Sequence, residues 1–269
     1  MIYRPTLFLA ILLSFTAWTR AQPSILKNVG IDQHLGTTLP LDTPLRDEQG
    51  STILLSDCFH PGRPVILTFV YYKCPGLCTT TLNQLARSLT AISQSAGKDF
   101  DILTISFDPN ETPDLALAKK QSYLRSYRRP TADAGWRFLT APADSIQRLT
   151  TAAGFRYKWD DQYKVFAHAS AVMILSPAGK ITRYFLGVDY PPNEIIQALA
   201  GARADQIAPP AEQVFLYCFH YDPNTGKYGL IINRAIRASG VLILLALFGT
   251  IGFLVLRERR HTPLTPGAH

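Results

Sequence analysis

An apolar run that ends in two cysteines at the mouth of a helix, a repeated strand-helix-strand rhythm and a closing hairpin predict an α/β fold. The expected architecture is a three-layer sandwich with a C-terminal transmembrane helix. Val65 to Tyr71 reads as a buried strand and leads into Cys74-Pro75-Gly76-Leu77-Cys78. Thr79 to Ser93 follows with Leu82, Leu85, Leu89 and Ile92 at helical spacing, and Phe100 to Phe107 is again strand-like. Strand, helix, strand makes a parallel unit.

The other elements fall around it in order. Residues 22–44 contain Pro23, Gly30, Gly36, Pro40 and Pro44 with little periodicity and read as an extended lead-in; the fold proper begins at Leu45. Ser51 to Leu55 is a short strand. Asp108-Pro109 ends the second buried strand, and Glu111-Thr112-Pro113-Asp114 is a helix-start signal for Leu115 to Tyr127. Trp136 to Thr140 is strand and Ala143 to Ala153 helix. Ala171 to Ser176 and Ile181 to Leu186 flank Pro177-Ala178-Gly179 as a hairpin, and Asn193 to Leu199 is the last helix. Parallel units closed by a hairpin and a helix describe a thioredoxin-like domain over 45–200.

Both ends of the chain carry apolar segments. Residues 1–21 have the form of a secretory signal: Arg4, the apolar stretch Leu7 to Ala17, and Thr19-Arg20-Ala21 as a small-x-small cleavage site. An uncleaved N-terminal anchor is the competing reading. Residues 238–256 are uncharged and rich in Leu, Ile and Val, long enough for a membrane span. That leaves 201–237 as a membrane-proximal stalk and 257–269 as a cytoplasmic tail, with the soluble domain periplasmic and the protein held in the cell membrane by a single pass. The formal charge of +7 is concentrated at these ends. Removing Arg4, Arg20, Arg257, Arg259, Arg260 and Glu258 from 27 basic and 20 acidic residues leaves +3, which is no nucleic-acid footprint.

The chemistry centres on Cys74 and Cys78. A thiol at a helix N-terminus meets unpaired backbone N–H groups that favour its thiolate, the form that both redox chemistry and soft metals require. The strand-cysteine-helix corner is where thioredoxin-like enzymes act, but their cysteines are separated by two residues and these by three. A structural disulfide is the plain alternative. His168 stands just before the strand Val172 to Leu175, at the address where such oxidoreductases place a cis-proline. A lone histidine beside an apolar strand is ordinarily structural; here its address faces the cysteine turn. Two thiolates and one imidazole form a soft, open set suited to copper, whereas zinc ordinarily takes a closed tetrahedron.

Three motifs in order carry a family resemblance: Val65 to Cys78 with its CxxxC, then Ile105-Ser106-Phe107-Asp108-Pro109 with Thr112-Pro113, then His168 before a strand and hairpin. The chain resembles the SCO/SenC family from about Leu45 to Ala200. The resemblance implies a thioredoxin-like fold, copper as the bound ion, and Cys74, Cys78 and His168 as its ligands. It also implies a role in assembling the dinuclear copper centre of cytochrome c oxidase, by delivering copper or by reducing the target cysteines. The partners implied are the oxidase copper subunit or another cuproprotein, and a thiol-disulfide reductant. Two positions depart from the family pattern: Gly76 stands where many members have an acid, and Ala169 precedes Ser170 where many have a hydroxyl residue directly after the histidine. Asp108 carries over only as an acidic neighbour of the site, or as an ordinary strand-ending turn.

Cys218 and His220, two residues apart in the stalk, are a candidate second metal point, or part of an aromatic segment that packs on the domain. Cys58 reads as a buried thiol or as a partner for Cys218. Three function classes compete. The first is a non-enzymatic copper-binding assembly factor. The second is a thiol-disulfide oxidoreductase in which Cys74 attacks and Cys78 resolves. A peroxidatic cysteine is the third, and the arginine it requires has no local signature.

Overall fold

The computed structural model describes residues 28–211, 221–222, 227–228 and 230–261. Residues 1–21, with the expected export signal, lie outside the described residues, as do Cys218 and His220. Two compact units divide the chain, residues 1–219 and 220–269.

In the first unit the strands are β1 (Gly30–Ile31), β2 (Pro44–Arg46), β3 (Thr52–Leu54), β4 (Val65–Val70), β5 (Asp101–Ser106), β6 (Trp136–Leu139), β7 (Phe155–Asp160), β8 (Val165–His168), β9 (Ala171–Leu175) and β10 (Ile181–Leu186). The helices are α1 (Leu77–Thr90), α2 (Pro113–Tyr127), α3 (Ala132–Gly135), α4 (Ala143–Ala152) and α5 (Pro192–Arg203). A five-stranded sheet in the order β10-β9-β4-β5-β6 forms the middle layer. β4, β5 and β6 are parallel, while β9 runs antiparallel to both β4 and β10. This is the mixed α/β, thioredoxin-like arrangement expected from the sequence.

β4, β5 and β9 are buried at every residue, which is why their sequences are predominantly apolar rather than alternating, with Thr68, Asp101, Thr104 and Ser106 as buried polar exceptions. At roughly 1.5–3 kcal/mol for each large apolar side chain removed from water, this layer is the principal source of stability. Helix α2 begins as its sequence dictates: Thr112 accepts from Leu115 N, Pro113 occupies the first turn, and Asp114 faces the positive end of the helix. Gly179, at φ +79, turns β9 into β10; a Cβ there would come within 2.8 Å of Leu41 Cδ2.

A second, three-stranded sheet in the order β1-β7-β8 was not expected. Its β7 sequence, Phe-Arg-Tyr-Lys-Trp-Asp, alternates aromatic with charged residues at the two-residue strand period, although most of the strand is half-buried or exposed. The β7-β8 hairpin nevertheless positions the site, because Tyr157 pairs with His168 at its base.

The second unit contains a short antiparallel pair, β11 (Tyr221–Asp222) with β12 (Lys227–Tyr228), and helix α6 (Leu230–His261). The transmembrane helix expected over 238–256 is corrected here. Among the described residues, no helix is long and apolar enough to cross a membrane. The apolar run is the middle of a 32-residue element that also takes in Arg234, Arg237, Arg257, Glu258, Arg259 and Arg260.

Candidate metal centre

Cys74, Cys78 and His168 converge at the C-terminal end of β4. Register explains the meeting: Thr68 of β4 lies opposite Val172 of β9, so the start of β9, and His168 three residues before it, sits at the end of the sheet where β4 runs out towards Cys74. The ligand-bearing atoms of the three residues all lie within 4.8 Å of one another. Among the described residues this is the one group of three or more histidine, cysteine or acidic residues placed to hold a metal. All three are buried, at 5%, 3% and 2% relative exposure. The site is thus part of the core rather than a surface turn.

Helix α1 starts at Leu77, so Cys74 precedes it and Cys78 stands in its first turn. The sulfur of Cys74 accepts from Cys78 N at 3.4 Å, in the place an N-cap oxygen would hold. Cys78 Sγ accepts in turn from Tyr71 N at 3.4 Å and lies 3.4 Å from His168 Nε2. His168 Nδ1 is 2.9 Å from Ala169 O. A carbonyl can only accept, so this contact places the proton on Nδ1 and leaves the Nε2 lone pair facing the cysteines. Fixing the tautomer of a ligating histidine through its other nitrogen is a recurrent device of metal sites.

Aromatic rings wall the imidazole. Tyr71, Phe107 and Phe155 lie 5.8, 5.3 and 6.4 Å from it between ring centroids. Phe166 stacks edge-on against both Tyr71 and Phe107, and the half-exposed Trp159 covers Phe166 at 4.9 Å. The sequence reading missed this cage. The signal was present in Tyr71 and Phe107, each at the end of a buried strand, but Phe155 and Phe166 belong to the unforeseen hairpin.

Glu111 was read as part of a helix start, and its main work lies elsewhere. Its carboxylate accepts from Tyr72 N at 2.6 Å, Lys73 N at 2.7 Å and Ser106 Oγ at 2.6 Å, clamping the two residues that precede Cys74. Burial holds its pKa above the usual carboxylate value, against the opposing effect of these hydrogen bonds. Asp108 is not part of the cysteine-histidine group. Its carboxylate accepts from Asn110 N and Nδ2 in a local turn, which is the plainer of the two roles open to it.

Cys58 is a buried free cysteine, far from ionising: desolvation pushes its thiol up to about 11. Iodoacetamide at pH 8 is therefore expected to leave Cys58 unlabelled in the native protein and to label it only after denaturation. Mass spectrometry of the native digest checks this, and native alkylation of Cys58 would contradict the burial. His60 lies 3.0 Å from Asp101 Oδ2, at the opposite end of β5 from Ser106.

A copper-binding protein by name from Stutzerimonas stutzeri is 28% identical over 125 residues, 45% of this chain. The matched part spans 56% of that relative's length. A crystal structure from Aquifex aeolicus VF5, of a candidate electron transfer protein, is 29% identical and covers 63% of this chain and 95% of that one, with a TM-score of 0.56. A further similar fold is Arabidopsis thaliana ScoI with copper bound, 18% identical over 64% of this chain and 99% of that one, TM-score 0.49. The family profile described as SCO1/SenC matches residues 45–203, from β2 to the last residue of α5, with both cysteines and the histidine inside it; the chain belongs to the SCO1/SenC family.

Proposed function

We propose that this protein binds copper through Cys74, Cys78 and His168. We further propose that it delivers the ion to, or prepares the cysteines of, the dinuclear copper centre of cytochrome c oxidase or a related cuproprotein. The observation that carries the reading is the buried Cys-Cys-His group, with its ligand atoms within 4.8 Å and the His168 lone pair turned towards Cys78. Two sulfurs and one imidazole suit copper(I), which accepts low coordination and soft donors. Family membership and the copper-binding name of the Stutzerimonas relative support the choice of metal. Copper would pass by ligand exchange to an acceptor of similar softness, and its own binding requires the cysteines as thiolates. The export-type sequence at 1–21 supports work outside the cytoplasm, where a thiol-disulfide reductant would return an oxidised Cys74-Cys78 pair to two thiols by supplying two electrons and two protons.

A second reading, thiol-disulfide exchange by the pair itself, is favoured by the closeness of the two sulfurs and by Cys74 preceding the helix. The test is copper content of the full-length protein reconstituted under reducing conditions, beside His168→Ala. One copper per chain is expected. The variant should bind it more weakly by more than the roughly 10- to 100-fold that loss of a supporting hydrogen bond costs a metal site. No copper in the parent protein would overturn the metal reading and leave exchange chemistry.

A further inference from the structure

We propose that Ser170 and Thr81 are positioning residues that aim His168 at Cys78. This rests on the reading of His168 as a ligand. The geometry closes on itself. Cys78 and Thr81 are three residues apart on α1, on one face of the helix, and both are buried. Thr81 Oγ1 lies 2.6 Å from Ser170 Oγ, which donates to Gly187 O at 2.8 Å. Because that donation uses the serine proton, the Thr81 hydroxyl is the donor in the 2.6 Å contact. Tyr190 OH donates to the same Gly187 carbonyl at 2.7 Å, fixing it from a second side. Ser170 follows Ala169, whose carbonyl accepts the His168 Nδ1 proton, and His168 Nε2 returns to Cys78 Sγ.

Helix α1 is thereby tied to the His168 loop twice, once through the ligand atoms and once through Thr81 and Ser170. The second tie holds the Ala169 peptide whose oxygen sets the imidazole tautomer. Its hydroxyl, from Ser170, reaches the cysteine helix at Thr81. Thr81, Ser170 and Tyr190 are at most 5% exposed, so water does not replace a lost hydroxyl easily.

The experiment uses the full-length protein with 15N-labelled histidine. In the metal-free protein, the ring nitrogen shifts of His168 report its tautomer. In the copper(II) complex, nitrogen hyperfine structure reports imidazole ligation. Thr81→Val keeps volume and removes the hydroxyl, Thr81→Ser keeps the hydroxyl, and Ser170→Ala removes the other partner. Ser170→Ala and Thr81→Val are each expected to turn the single Nδ1–H form into a mixture of tautomers and to weaken the nitrogen hyperfine signal. Thr81→Ser should resemble the parent, and the double variant should be no worse than either single one. If Ser170→Ala fails to unfold cooperatively, Thr81→Val, an isosteric change, decides. Parental tautomer and hyperfine signal in Thr81→Val would overturn the proposal while His168→Ala still abolishes the nitrogen signal. A nitrogen signal that survives in His168→Ala overturns the ligand reading instead.

Discussion

Replacing Cys78 by alanine is expected to weaken copper(I) binding by orders of magnitude. Its sulfur is the hub of the group, 3.4 Å from His168 Nε2 and from the Tyr71 N–H that donates to it, and bonded through its own backbone N–H to Cys74 Sγ. Structural zinc sites with four ligands are worth about 10–16 kcal/mol in total, or roughly 2.5–4 kcal/mol for each ligand. Losing one of three therefore lowers affinity by about a hundred- to a thousandfold. Cys74→Ala should bring a comparable loss, with one difference. Its sulfur also accepts from Cys78 N in the first turn of α1, doing for that N–H what a capping side chain does although the N-cap residue is Gly76, so this variant should lose about 0.5–2 kcal/mol of stability. Competition against a copper(I) chelator of known affinity, with denaturant melts alongside, separates the two effects. Parental affinity in Cys78→Ala would remove that residue from the site.

The sequence made the site visible because its three ligands stand beside strands that are themselves unmistakable. β4 and β9 are predominantly apolar runs, and fully buried strands advertise themselves in that way. Once both were placed, Cys74, Cys78 and His168 had to fall at one end of the sheet. The burial of the site was not legible. A CxxxC at a helix start looks like a surface turn, and only the β7-β8 hairpin, whose aromatic-charged alternation marks a strand but not what that strand packs on, shows that Phe155 and Phe166 help to enclose it. The apolar run at 238–256 failed in the opposite direction. Hydropathy alone favoured a membrane span there, whereas the helix drawn through it extends well past both ends into charged residues. Long-range polar contacts were also out of reach. Glu111 to Tyr72 and Thr81 to Ser170 join residues 39 and 89 positions apart, a pairing no local pattern encodes.

The loss of Glu111 tests how much the corner before Cys74 depends on a single buried carboxylate. Glu111→Ala removes the acceptor for Tyr72 N, Lys73 N and Ser106 Oγ, of which Tyr72 and Ser106 are buried. Each buried donor left unpaired costs about 1–3 kcal/mol, so the expected destabilisation for the two is about 2–6 kcal/mol. Because the clamp holds the two residues ahead of Cys74, copper affinity should fall as well, although no ligand has been changed. The pH dependence distinguishes this carboxylate from a generic core defect. Its folded pKa is raised above the ordinary value of 4.5, chiefly by burial, so the folded state holds the proton more tightly than the unfolded chain does. The stability this confers is fully present below pH 4.5 and is lost as pH rises through the raised folded value. Asp101, raised from 3.8 mainly by burial, acts in the same direction. Denaturant melts between pH 4 and pH 7 should therefore show the parent losing stability with rising pH over the lower part of the range, and Glu111→Ala losing less, with the share due to Asp101 remaining. An unchanged slope in the variant would mean that Glu111 does not carry the shift, and an unchanged midpoint would mean that the corner stands without its clamp.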